Sequence, residues 1–175
     1  MSIHKVFISY HHDDQEEVDA FINKFDTERN GFIARGLGIN MADDIIDSSD
    51  TNYVMRKIRE NYLRDSTVTL VLIGKNTWAR RYVDWEIQAS LRQGKDILPN
   101  GLIGIRLRES NKQPERLALN RVKGPNDDYY ARLYDLPQSV TQLKGWIDDA
   151  YDSRWSRSQL IVNPTARFLY NKSTS

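Results

Sequence analysis

Apolar and polar positions change period several times along the chain, and each change marks an element. Lys5-Val6-Phe7-Ile8-Ser9-Tyr10 is a short β-rich run that predicts a first strand. Val18, Phe21, Ile22 and Phe25 then fall at i, i+3, i+4 and i+7, the spacing of one buried helix face. Asp13 is the expected N-cap of that helix, with Glu16 three residues on completing a capping box. Gly31-Phe32-Ile33-Ala34 is the candidate second strand, and a Gly- and Asp-rich loop runs from Arg35 to about Asp50. A second helix is predicted over Thr51 to Leu63, packing through Tyr53, Val54, Ile58 and Tyr62.

Thr67-Val68-Thr69-Leu70-Val71-Leu72-Ile73 is the strongest strand in the chain. Its near-continuous apolar character predicts burial on both faces, as in a parallel sheet covered by helices. Gly74 ends it, and Asn76 or Thr77 is the expected cap of the next helix. Leu102 to Leu107 is a further strand after a turn at Pro99-Asn100-Gly101. The polar stretch from Arg108 to Asp128 is expected to hold a short edge strand near Leu117 to Val122. A long helix follows from about Gln138 to Trp155. Residues 1–158 form one predicted domain, and 159–175 a tail that Phe168, Leu169 and Tyr170 would pack against it. Strands alternating with helices predict an α/β fold, a flavodoxin-like three-layer sandwich around a mostly parallel sheet.

The helix after the strongest strand carries the most informative position. Wound at about 100° per residue, it puts Glu86 on the apolar side, with Trp78, Tyr82 and Ala89 to one flank and Ala79, Val83, Ile87 and Ser90 to the other. Arg80, Arg81, Asp84, Gln88 and Arg92 share the opposite face, where charges are expected in water. An inward carboxylate is costly unless paired, hydrogen-bonded or protonated, and burial raises its pKa. Counted from Asn76, Glu86 would lie ~9–10 residues into the helix, about 13–15 Å along it.

Composition narrows the function classes. The 175 residues carry 25 Lys and Arg against 24 Asp and Glu, for a net charge of +1. Such a balance argues against nucleic acid as a partner. No run of 18 apolar residues predicts a membrane span, no apolar leader opens the chain, and a cytoplasmic protein is expected. With no cysteine, disulfides and thiolate metal sites are excluded. Charge is uneven: eleven acidic residues lie between Asp13 and Asp50, against Lys24, Arg29 and Arg35. The adjacent His11 and His12 lack a spaced partner set, and Asp43, Asp44, Asp47 and Asp50 lack a Ca²⁺-loop spacing, so no metal site is expected. No Gly-rich phosphate loop of the Walker or Rossmann type is present.

Two stretches, taken in order, resemble TIR domains. Val6-Phe7-Ile8-Ser9-Tyr10 with the following His-His-Asp-Asp is similar to the opening strand and loop of that superfamily. Ser66 to Gly74, then Asn76-Thr77-Trp78, then Trp85-Glu86-Ile87, is similar to its third strand and glutamate helix. The resemblance runs over about Lys5 to Leu107 and is nearest to the TIR-like proteins of bacterial Thoeris antiphage defence. It implies a flavodoxin-like fold and an enzyme that cleaves the nicotinamide–ribose bond of NAD. The ADP-ribose part would become a signal nucleotide, a cyclic isomer or a conjugate, that activates a separate effector protein. NAD would be substrate, with no further cofactor.

Glu86 matches the family's catalytic glutamate. Cleaving an N-glycosidic bond builds positive charge on the ribose, which a carboxylate stabilises. Nicotinamide leaves neutral, so one carboxylate suffices. Ser9, Tyr10 and His11 at the strand end, with Phe7 on the Ser9 face, are candidate substrate contacts, as are Asn76, Trp78 and Tyr82; aromatic neighbours would stack on a ring or exclude water. Turn formation, core packing and helix capping are the ordinary roles of the same residues. Two rivals stand beside the enzyme. A non-catalytic TIR-type scaffold would signal by self-association. A flavin protein would be yellow, and a receiver would need a phosphorylatable Asp at a strand end, where no predicted strand has one.

Overall fold

A computed structural model describes residues 3–26, 33–35 and 41–174 of the chain. Among the described residues five parallel strands form one sheet: β1 (Lys5–Ser9), β2 (Ile33–Arg35), β3 (Val68–Ile73), β4 (Gly101–Arg106) and β5 (Arg132–Tyr134), in the order β2-β1-β3-β4-β5. That is the flavodoxin-like order, and it makes the carboxyl ends of β1 and β3 neighbours at the topological switch point. Register places Ser9 opposite Val71 and Val68 opposite Gly101. Of the second-strand candidate, Ile33 and Ala34 lie in β2, while Gly31 and Phe32 fall outside the described residues, as do residues 36–40 of the following loop.

Strand alternation sorts the side chains into two helical layers. Val6, Ile8, Val68, Leu70, Leu72, Ile103 and Ile105 pack against α1 (Gln15–Phe25) and α6 (Val140–Ser156). The other face meets α2 (Asp43–Ile46), α3 (Thr51–Ile58), α4 (Arg81–Ser90) and α5 (Glu115–Leu119). Val71 and Ile73 lie under Val83, Ile87 and Leu117 there, and Phe7 lies under Ile45, Val54 and Trp85. All six residues of β3 are buried, as its apolar run predicts. Helix α6 crosses β4 closely: a Cβ on Gly101 would lie 2.1 Å from the Ala150 carbonyl oxygen.

Several expectations are corrected. The predicted edge strand near Leu117 is helix α5, and the edge position belongs to Arg132–Tyr134. One helical turn with a single sheet-facing leucine has too little periodicity to reveal itself. The second helix stays α-helical only to Ile58 and widens into a π-type turn over Arg59–Leu63. Helix α1 begins at Gln15 after a 3-10 turn, and its cap position, Asp14, makes no side-chain capping bond. Asp13 turns instead toward the His11 and His12 rings, so no capping box forms. Among the described residues no helix is long and apolar enough to cross a membrane.

Beyond α6, residues 162–172 run along the outer side of α4. Trp85 Nε1 donates to the Phe168 carbonyl at 2.7 Å, and Gln88 Nε2 to those of Pro164 and Thr165. The Phe168 N–H reaches Asp84 Oδ2 at 2.9 Å, and that of Lys172 the Ala79 carbonyl at 2.8 Å. The charged face expected in water is thereby partly interior: Asp84 is 4% and Gln88 1% exposed.

Candidate active site

Ser9 is the last residue of β1 and points toward α4, on the same sheet face as Phe7. Its Oγ donates to Glu86 Oε1 at 2.9 Å. Glu86 is the sixth residue of α4, not the ninth or tenth, because Thr77–Ala79 form a separate 3-10 turn and Arg80 is extended. At ~1.5 Å per residue this brings the carboxyl closer to the strand ends than a helix starting at Asn76 would.

The Glu86 residue keeps partial exposure while its carboxyl is crowded by protein. Burial pushes its pKa up to about 8 from 4.5, and the Ser9 hydrogen bond opposes that rise. The helix is held in register behind it by polar side chains. Ser90 Oγ donates to the Glu86 carbonyl at 2.7 Å and lies 2.7 Å from Thr69 Oγ1, which accepts from Asn100 Nδ2 at 3.2 Å. These buried groups satisfy one another, as a buried network must.

The other candidates divide. His11 is 5% exposed, and Asp13 Oδ2 lies 3.1 Å from its Nε2. Burial and then the Arg80 charge lower the His11 pKa, against the pull of Asp13. Arg80, which the helix pattern assigned to the solvated face, is therefore an electrostatic neighbour of the strand end. His11, His12 and Asp13 also bring potential metal-ligand atoms within 4.8 Å of one another, with Asp13 between the two rings.

Phe7 is 1% exposed and belongs to the core beneath α3 and α4. The Tyr10 ring packs toward the α1–α6 layer, and its hydroxyl donates to Gln15 Oε1 at 2.6 Å. Asn76 makes no side-chain cap, and the buried Thr77 takes the local role instead, its Oγ1 accepting from the Gly74 N–H at 2.8 Å. Trp78 lies beneath the Lys112 ammonium, 4.1 Å from the ring centre. Tyr82 is on α4, edge-on to Trp85 at 5.5 Å, and its hydroxyl accepts from Arg81. Of the candidate contacts, Ser9 is the one with a hydrogen bond to Glu86. The ion pair of Asp84 with Arg116, on the far side of α4, had no signal in the local pattern, since Arg116 is 32 residues away.

Comparison with known proteins agrees with this architecture. The chain is 27% identical over 165 residues to a protein named putative cyclic ADP-D-ribose synthase ThsB1 from Bacillus cereus (strain MSX-D12), covering 93% of this chain and 81% of the relative. A family model described as Thoeris protein ThsB, TIR-like domain, matches residues 7–112, the segment from β1 through β4 that holds both Ser9 and Glu86. With more than half of its length matched, the chain belongs to the ThsB family of TIR-like Thoeris proteins.

Proposed function

We propose that this protein cleaves the nicotinamide–ribose bond of NAD and converts the ADP-ribose part into a cyclic or conjugated signal nucleotide. The observation that carries the reading is the Glu86 carboxyl, held by Ser9 at the carboxyl end of β1 on a residue that keeps partial exposure. Membership of the ThsB family supports it, as does the name of the Bacillus cereus relative, a putative cyclic ADP-D-ribose synthase.

The bond that breaks joins the ribose anomeric carbon to the pyridinium nitrogen, and its electron pair leaves with neutral nicotinamide. The ionised form of Glu86, the minor form near neutral pH at a pKa of about 8, opposes the positive charge left on the ribose. An acceptor hydroxyl then attacks the anomeric carbon and gives up its proton. A carboxyl with a pKa of about 8 is a competent acceptor for that proton near neutral pH. Ser9 orients the carboxyl and favours its charged form. The nucleotide would act on a separate effector in the cytoplasm, and NAD is consumed as substrate.

Purified wild type and Glu86→Gln are incubated with NAD, alone and with lysate of phage-infected cells, and products are followed by chromatography with mass detection. Nicotinamide release by the wild type only is expected, and the mass of the second product separates linear ADP-ribose, a cyclic isomer and a conjugate. Equal release by folded Glu86→Gln overturns the role of Glu86. No release by folded wild type under either condition overturns the enzyme in favour of a scaffold.

A further inference from the structure

A cleft opens at the carboxyl ends of β3 and β4, with a volume of about 590 Å³. Small-molecule sites span roughly 300–1,000 Å³. Asp14 and Glu17, at the start of α1, form one wall; Lys75 after β3 and Arg108 and Lys112 after β4 form the others. Ser9 and Glu86 are not among its walls. The chain leaves β1 for the α1 layer and leaves β3 for the α4 layer, so the cleft adjoins the crevice where open parallel sheets bind ligands.

The walls are tied together. Asn111 Nδ2 donates to the Ile73 carbonyl at 2.8 Å, pinning the loop after β4 to the end of β3. Lys112 caps the Trp78 ring at 4.1 Å, joining that loop to the turn before α4. At the floor, a Cβ on Gly74 would fall 2.0 Å from Asp14 Oδ2, so glycine is what leaves room for this carboxyl. Thr77 Oγ1 lies 3.5 Å from the same oxygen.

Among the described residues Lys75 and Arg108 have no side-chain hydrogen bond or ion pair, and the Lys112 ammonium meets the Trp78 ring. Three cations thus face two carboxylates across one cavity. A simple anion would be repelled by Asp14 and Glu17, and a simple cation by the three bases. A molecule carrying phosphates at one end and hydroxyl or amino donors at the other suits both. We propose that this cleft is a nucleoside-diphosphate site, separate from the Glu86 carboxyl, with phosphates on Lys75, Arg108 and Lys112 and ribose hydroxyls on Asp14 and Glu17. The ligand can be a free nucleotide or the ADP part of a larger one.

The test uses the full-length Glu86→Gln chain, whose binding does not depend on turnover, titrated by calorimetry with ADP, ADP-ribose, adenosine and inorganic pyrophosphate. ADP is expected to bind more tightly than adenosine or pyrophosphate. Arg108→Glu with Lys112→Glu should weaken ADP at least roughly tenfold, and Glu17→Gln should weaken ADP without weakening pyrophosphate. Tighter binding of ADP-ribose than of ADP supports a larger dinucleotide source, and the reverse a free nucleotide. Lys75→Glu, at an exposed position, gives a second reading should the double variant lose its fold. Absence of ADP and ADP-ribose binding, unchanged binding by the charge-reversed chains, or pyrophosphate matching ADP overturns the proposal.

Discussion

Asp84 and Arg116 form an ion pair at 2.8 Å with both side chains 5% exposed, on the side of α4 away from the sheet. Arg116 also donates to Asn163 Oδ1 and to the carbonyls of Pro164 and Ala166, so one guanidinium ties the helix to the C-terminal strap. Removing one partner leaves a buried charge uncompensated. Asp84→Asn is expected to cost about 3–5 kcal/mol of folding stability, measured by urea denaturation. A loss near zero would show that water replaces the partner.

Truncation at residue 161 removes the acceptors of Trp85 Nε1 and Gln88 Nε2 and the donor from Phe168 to Asp84. The amides of α4 should then exchange with solvent faster than those of β3, which the strap does not touch. Hydrogen exchange with mass detection reads both in one experiment, and unchanged α4 protection would show that the strap is dispensable.

Glu86 makes stability fall with pH. Its pKa is raised on folding from 4.5 to about 8, so the folded chain holds this proton more tightly than the unfolded one. That contribution is complete below about 4.5 and is lost as pH rises through about 8. Glu86→Gln lacks the titration, so its melting temperature should gain on the wild type between pH 5 and 9, by roughly 2–4 °C per kcal/mol. Parallel melting curves across that range would show an unshifted carboxyl.

Ser9→Ala removes the bond that opposes the rise of the Glu86 pKa. Loss of a hydrogen bond to a charged group is worth about 1.5–3 kcal/mol, so NAD cleavage should fall by roughly 10–100-fold at neutral pH. The ionisation seen in the pH–rate profile should move to higher pH. A fall in rate with an unmoved profile would assign Ser9 a packing role instead.

Gly101→Ala tests the closeness of α6 to β4. The added methyl would meet the Ala150 backbone, which cannot rotate away. Overpacking of about 1–3 kcal/mol is expected in a denaturation curve, with no change in the Glu86 profile.

Strand and helix identities were legible where a period repeats long enough: β1, β3, β4, α1 and α6 stand close to their expected places because local alternation or 3.6-residue spacing encodes which face is buried. The odd carboxylate at Glu86 was legible for the same reason, as a charge on an apolar face. Short elements were not: α5 has five residues and β5 three, too few for a period. Nor could local pattern show that Asp84 and Gln88 lie inside, because what buries them comes from Arg116 and residues 163–168, far along the chain. The amino-acid order by itself determined the layers and the residue to watch. Tertiary structure decided that Ser9, 77 positions away, is the group that holds it, since parallel strand order and helix start, not sequence distance, set which side chains meet.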